Sequence, residues 1–354
     1  MSNILFFFLK KTKKEQNILF YIDFLLRKIY HIKMTVREIA SITGLSSTTV
    51  HTALKYPDKV SSSVLEAINK VVENIEEYPK KIREVYIILP HINSFYTTFL
   101  IDAIDLLNKE NIKTIPFITN EDIEKEKEFI SKINFSTRTG IIFNPVDQDV
   151  EYSFLKRKKK KPIILTMNRT LNKCKVDMTL KLANKEASEM AVRALADENN
   201  KNILLINSGN NNIITAKERS DGFNEAIKND SNISGDIIYT NFNDWKSSYD
   251  ILNQNKDKIK NYDAIISTSE LITCAILKIF KNMNINIPQD IRLITFDTSP
   301  SFEALSISNI SFSPNSMAKK AIELLLTKSA ENNYTTEYVF LPKLRLLGSE
   351  KRNL

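Results

Sequence analysis

A chain of 354 residues with 42% hydrophobic and 26% charged content has an ordinary globular composition and is long enough for two or three domains. Its two cysteines, Cys174 and Cys274, stand far apart, which argues against a disulfide scaffold or a cysteine zinc site and fits a reducing cytoplasm. The net charge of +8 invites a nucleic-acid reading, but the excess sits in residues 1–33 and in the run Lys156 to Lys161, and that run reads as a solvated helix end ahead of a strand.

Residues 1–33 form an extension. The apolar run Ile4 to Leu9 is too short for a membrane span or a signal core, and Ile18 to Ile29 is mildly amphipathic. The segment reads as a start assigned too early, with Met34 the better first residue; an added helix is the alternative. From Thr35 the pattern sharpens. Thr35 and Glu38 have capping-box spacing, and Val36, Ile39, Ala40 and Ile42 supply an apolar face. Gly44 suits a positive-φ stop. Ser46 caps a second helix that turns Val50 and Leu54 back toward the small Ala40. Ser61 caps a third, with Leu65, Ile68, Val71, Val72 and Ile75 as its stripe and Tyr78-Pro79 as its end. This is the spacing of a helix-turn-helix over residues 34–79, whose second helix enters the major groove. An accidental match in a plain helical bundle is the competing reading.

After a linker over residues 80–84 the chain alternates. Strands are expected at Val85–Pro90, Lys113–Thr119, Thr139–Phe143, Pro162–Thr166, Asn202–Asn207, Asp236–Thr240, Ala264–Ser267 and Arg292–Phe296. Helices are expected at Phe99–Glu110, Ile123–Ile133, Lys185–Asp197, Ala216–Lys228, Ser247–Lys258 and Leu271–Met283. Strands separated by helices of this length make parallel sheets, and residues 85–349 have room for two. The fold class is thus an all-α helix-turn-helix domain followed by an α/β domain of two doubly wound parallel-sheet subdomains.

The segment TVREIASITGLSSTTVHTAL resembles the opening of the lactose-repressor/galactose-repressor family of bacterial transcription regulators. The resemblance continues over nearly all of residues 85–349. Asn168-Arg169 matches a strand that ends in Asp-Arg, and Arg219, Gly222 and Phe223 match an Arg-x-x-Gly-Phe segment. Asp297-Thr298 closes a Pro-x-Asp stretch, and SPNSMAKKAIELLL and LPKLRLLGS match the returning helix and the closing strand. The resemblance implies a periplasmic-binding-protein-like effector domain, with two α/β subdomains joined by three crossovers around a ligand cleft.

Ligands in open α/β sheets lie beyond the carboxyl ends of the strands. Asn168, Ser269 and Asp297 stand at strand ends, and Phe95, Tyr96 and Phe242 follow them with aromatic faces. Arg219 adds a fixed donor fork. These seven are the expected ligand-binding residues, and a sugar suits their mix of hydrogen-bonding arms and rings. A strand-end cap competes for Asn168, and hinge-side core for Phe95 and Phe242. Ser46, Ser47, Thr48, Thr49, His51, Thr52, Lys55 and Lys59 are the expected DNA-binding residues.

The departures from the family are specific. Ser269-Glu270 stands where Asn-Asp is usual, and Thr52 where Arg is frequent, so the helix lacks the commonest reader of guanine. Between Met34 and Glu84 basic and acidic residues cancel. A five-residue linker reaches about 18 Å at most, too little for a DNA-wedging hinge helix; Ile82 is then a vestigial wedge or plain spacer. His31, His51 and His91 are dispersed, and no HExxH, GxxxxGK[ST] or GxSxG occurs, so no enzyme, metal or cofactor is expected. The chain reads as a cytoplasmic, homodimeric regulator, independent of membranes, that binds double-stranded operator DNA under control of a small ligand, expected to be a carbohydrate. The alternative is a sugar sensor whose helix-turn-helix has lost DNA binding.

Overall fold

The computed structural model describes residues 35–73, 82–136, 138–152, 162–240, 244–327 and 336–352. The chain divides into two compact units, residues 1–81 and 82–354. Residues 1–34, the lysine run 156–161, and the Tyr78-Pro79 closure lie outside the described residues, as do the side chains of Glu38 and Val72.

In the first unit, α1 spans Val36–Thr43, α2 Ser47–Lys55 and α3 Ser62–Glu73. Ile39, Ala40, Val50, Ala53, Leu54 and Ile68 form a single buried cluster, with Val36, Leu45, Val60, Val64 and Leu65 packed on it. Positions 36, 39, 40 and 43 make the i, i+3, i+4, i+7 stripe of α1. Ile42 lies off that stripe and is 38% exposed, so its assignment to the buried face is corrected. Thr43 closes the stripe instead, its hydroxyl donating to the Ile39 carbonyl at 2.6 Å. Gly44 turns the chain at φ +69°, where a side chain would be strained. Ser46 then caps α2, its Oγ accepting from Thr49 N–H at 3.0 Å. Ser61 does the same for α3 through Val64 N–H at 3.4 Å.

The second unit holds two six-stranded sheets, each the centre of one lobe. In the first lobe β1 (Glu84–Leu89), β2 (Lys113–Ile118), β3 (Thr139–Phe143), β4 (Ile163–Met167), β5 (Met178–Leu182) and β11 (Thr336–Phe340) pair in the order β11-β5-β4-β3-β1-β2, all parallel. Helices α4 (Ser94–Lys109), α5 (Ile123–Lys132) and α12 (Pro314–Thr327) complete it. In the second lobe β6 (Asn202–Ser208), β7 (Ser234–Thr240), β8 (Ala264–Ser267), β9 (Arg292–Phe296), β10 (Ser308–Ser311) and β12 (Lys343–Arg345) pair in the order β12-β10-β9-β8-β6-β7. Here β12 alone runs antiparallel. The helices of this lobe are α6 (Asn184–Ala196), α7 (Ile214–Asn229), α8 (Trp245–Gln254), α9 (Lys256–Ile259), α10 (Glu270–Met283) and α11 (Pro300–Ala304). The central strands are buried on both faces, which is why they read as unbroken apolar runs such as IIF and AII. The chain passes between lobes after β5, after β10 and after β11, as the family resemblance implied.

Several expectations shift. Helix α4 begins at Ser94, five residues before the expected start, because Asn93 caps it by accepting from Tyr96 N–H at 2.9 Å. The expected helix 247–258 breaks at Asn255 into α8 and α9. Ile82 is neither wedge nor spacer: it is 4% exposed in the apolar core of the second unit. Arg83 beside it already bonds to flanking chain, donating to Arg138 O and accepting from Lys113 N–H, both at 2.9 Å. Among the described residues, no helix is long and apolar enough to cross a membrane.

Candidate functional site

Two surfaces carry the expected functional residues. The first is the outward side of α2. Ser46, Ser47, Thr48 and His51 are exposed, as are Lys55 and Lys59, while Thr49 and Thr52 are half-buried. Thr49 is drawn into the helix cap, its hydroxyl 2.8 Å from that of Ser46. Tyr56, which the sequence did not single out, is 47% exposed directly after α2. The ammonium groups of Lys55 and Lys59 lie 5.5 and 4.9 Å from its ring centroid. That places two cations and a phenol side by side, a combination suited to a phosphate backbone.

The second is the cleft between the lobes of the α/β unit, at the carboxyl ends of both sheets. Arg219 projects from α7. Its Nε donates to Asn184 Oδ1 at 3.0 Å and one terminal nitrogen to the Thr268 carbonyl at 3.2 Å, with the guanidinium 4.9 Å from the Phe296 ring centroid. Burial pulls its pKa down, and the Asp297 carboxylate offsets part of that. Asp297 ends β9 in a left-handed conformation, φ +70°, which turns it out of the strand. Burial raises its carboxyl to about 6 despite Arg219, and Glu270 adds to the rise. Asn168 ends β4 the same way, at φ +63°, and its Oδ1 is buried without a hydrogen-bond partner.

Tyr96 faces the same space from α4, its hydroxyl accepting from Asn144 Nδ2 at 2.6 Å. Asn144 follows β3, is fully buried, and keeps an unpartnered Oδ1. His91 packs edge-on against Tyr96 at 5.0 Å and approaches Glu121 at 3.1 Å. Glu121 in turn accepts two bonds from Arg169, at 2.8 and 2.9 Å. Burial alone would raise the Glu121 carboxyl, but its His91 and Arg169 partners outweigh it and hold it at about 2. This charged cluster stiffens the wall on which Tyr96 sits.

The structure therefore brings Tyr96, Asn168, Arg219 and Asp297 to one cleft. Ser269 is at its edge but spends its hydroxyl as the cap of α10, accepting from Ile272 N–H at 3.3 Å. Phe95 is 8% exposed and belongs to the apolar core, its ring edge-on to Tyr96 at 5.3 Å. Phe242 lies outside the described residues. His91, Glu121, Asn144 and Glu270 were not singled out as ligand residues. For Asn144 the signal was present, a polar residue directly after the apolar strand IIF; the others meet only through the fold. Among the described residues, no group of three or more His, Cys, Asp or Glu is placed to hold a metal ion.

A helix-turn-helix unit ahead of a two-lobed, cleft-bearing α/β module defines a class of ligand-responsive regulator. Comparisons with known proteins agree. Residues 192–347 match the family model described as a periplasmic binding protein-like domain. The chain is 27% identical over 310 residues to the "Probable HTH-type transcriptional regulator EndR" of Paenibacillus polymyxa, covering 83% of this chain and 90% of that one. It is 24% identical over 311 residues to the ribose operon repressor of Bacillus subtilis (strain 168), covering 82% and 90%. A crystal structure of a periplasmic binding protein/LacI transcriptional regulator from Alkaliphilus metalliredigens, complexed with D-xylulofuranose, shares the fold with a TM-score of 0.66 at 20% identity, covering 75% and 98%. Over most of its length the chain is thus similar, at low identity, to curated HTH-type transcriptional regulators and sugar-operon repressors.

Proposed function

We propose that this protein is a cytoplasmic, sequence-specific DNA-binding transcription regulator, acting as a homodimer and controlled by a neutral carbohydrate bound between its lobes. The observation that carries the reading is the convergence of Asp297, Arg219, Asn168 and Tyr96, contributed by strand ends and helices of both lobes. A ligand touching both lobes biases their relative orientation, which is how a cleft communicates with a distant reader. Relatives whose names or titles cite ribose or D-xylulofuranose support a sugar as the effector class. The preference for a neutral sugar follows from charge. Arg219 directs two of its nitrogens at Asn184 and Thr268. The carboxylates of Asp297 and Glu270 stand nearby and would repel a phosphate.

DNA recognition rests on the exposed Ser47, Thr48 and His51, with Lys55, Tyr56 and Lys59 as the phosphate-facing group. A helix-turn-helix dimer reads half-sites related by its own twofold axis, so the operator is expected to be palindromic. Titration calorimetry of the full chain with ribose, D-xylulose and their phosphates tests the cleft reading. Binding of a neutral sugar, lost in Asp297→Ala, is the expected result. Preference for the phosphorylated forms would contradict it.

A further inference from the structure

Glu270 and Ser94 face one another across the cleft mouth. Ser94 opens α4 in the first lobe and Glu270 opens α10 in the second. Ser94 Oγ donates to Glu270 Oε2 at 2.5 Å, and Ser94 N–H approaches the same oxygen at 3.4 Å. The carboxylate thus lies in the first turn of its own helix and against the first turn of the 16-residue helix opposite. Helix N-termini carry partial positive charge from their unpaired amides, so both ends favour an anion there. A hydrogen bond to a charged acceptor is stronger than one between neutral groups. Asp297 and the thiol of Cys274 also lie within electrostatic reach of Glu270, and neither supplies a positive charge that would draw it away from Ser94.

We propose that Glu270 and Ser94 form a latch that holds the two lobes closed over the cleft. The latch links a helix of each lobe by a bond that any opening of the mouth must break. It stabilises the closed arrangement directly, so a ligand enters more slowly than in an unlatched cleft and is held longer once inside. For effector binding, this rests on the cleft being the effector site. The closure itself can be measured without any sugar.

The test is hydrogen–deuterium exchange on the full chain with no sugar added, comparing Ser94→Ala, Glu270→Gln, Glu270→Ala and the double alanine variant with the parent. Bonds to charged groups are worth enough to shift a closed–open equilibrium by roughly tenfold or more. Exchange at the backbone amides of residues 94–97 and 297–299 is expected to accelerate by about that factor in Ser94→Ala and Glu270→Ala. Glu270→Gln, which keeps the shape and loses the charge, should fall between them and the parent. The double variant should open no further than either single one, because both remove the same contact. Core amides of β6 and β8 should not change, which separates unlatching from misfolding. Cleft amides that exchange at the parental rate in Ser94→Ala, or two alanine effects that simply add, would overturn the latch. A neutral sugar that fails to bind while unlatching is still seen would count against the effector reading alone.

Discussion

Gly222 lies so close to the backbone of Lys185 that a β-carbon there would come within 2.2 Å of the Lys185 carbonyl oxygen. This contact is where α7 crosses α6, and it sets where Arg219 stands in the candidate cleft. Asn184, next to Lys185, receives the Nε of Arg219, which stands one turn before Gly222. The Arg-x-x-Gly-Phe segment is therefore one device: the glycine lets the helices touch, Phe223 is fully buried beside it, and the arginine is delivered to the cleft.

Gly222→Ala should accordingly cost about 1–3 kcal/mol or more, since the obstacle is backbone rather than a movable side chain. It should also weaken effector binding, because any retreat of α7 carries Arg219 away from Asn184. Thermal unfolding and calorimetry on the same preparation check both effects. Unchanged stability would show that the helices separate at little cost.

Effector affinity should rise with pH. Asp297 has a carboxyl at about 6, pushed up by burial and only partly restored by Arg219. A sugar hydroxyl donating to that carboxylate favours its ionised form, so below pH 6 binding must first release a proton. Affinity measured between pH 5 and 7.5 is expected to increase through about pH 6 and then level. Asp297→Asn should bind more weakly and lose this dependence; a flat profile in the parent would remove Asp297 from ligand contact.

Stability should fall as pH rises through neutrality, with Glu126 the main contributor. Its carboxyl is raised to about 7 by burial, against the Tyr152 hydroxyl and the Val146 amide that donate to it. A carboxyl raised on folding contributes stability that is full below its unfolded value near 4.5 and is lost as pH climbs through the folded one. Asp297 acts in the same direction around pH 6. Glu126→Gln should be more stable than the parent at pH 8, by roughly 3 kcal/mol if the whole shift is recovered, and should flatten the profile. A parent no less stable at pH 8 than at pH 5 would contradict the assignment.

Much of this fold was legible in the residues, and the misses share a cause. Buried parallel strands such as IIF and AII announce themselves by unbroken apolar runs. The strand Met178–Leu182 does not, because Lys181 interrupts it; the lysine stays half-exposed by pairing with Glu337 of β11 at 2.8 Å. Strand β11, TEYVF, exposes four of its five residues, and β10, SNIS, has a single apolar residue, Ile310, so neither shows the unbroken run. β10 lies buried between β9 and β12, and its polar groups are satisfied there: Ser308 accepts from Leu347 N–H at 2.8 Å and meets Glu350, while its own N–H reaches Ser349. In the cleft, strand-end positions pointed to Asn168 and Asp297. The support from His91, Glu121 and Arg169 spans 78 positions of sequence, and no local pattern links them.

Salt dependence should be shallow for a reader of this class. Each phosphate neutralised contributes about −0.9 to the slope of log K against log salt. On α2 and just after it, the cations are Lys55 and Lys59, grouped at Tyr56. Lys55→Ala should reduce the slope by about one and weaken all sequences alike, whereas His51→Ala should change sequence preference. A slope steeper than about −10 in the parent would mean that these residues are not the principal contact surface.

The central claim joins DNA reading to a sugar in the cleft, and one titration addresses both halves. The full chain is titrated onto a labelled palindromic duplex from the upstream region of its own gene and followed by fluorescence anisotropy, with and without a saturating neutral sugar identified by calorimetry. The expected result is binding at least tenfold tighter than to a scrambled duplex, shifted by the sugar in the parent and unshifted in Asp297→Ala. Equal affinity for palindrome and scrambled DNA, whatever the sugar, would contradict the account and mark the protein as a sugar sensor that has lost its operator.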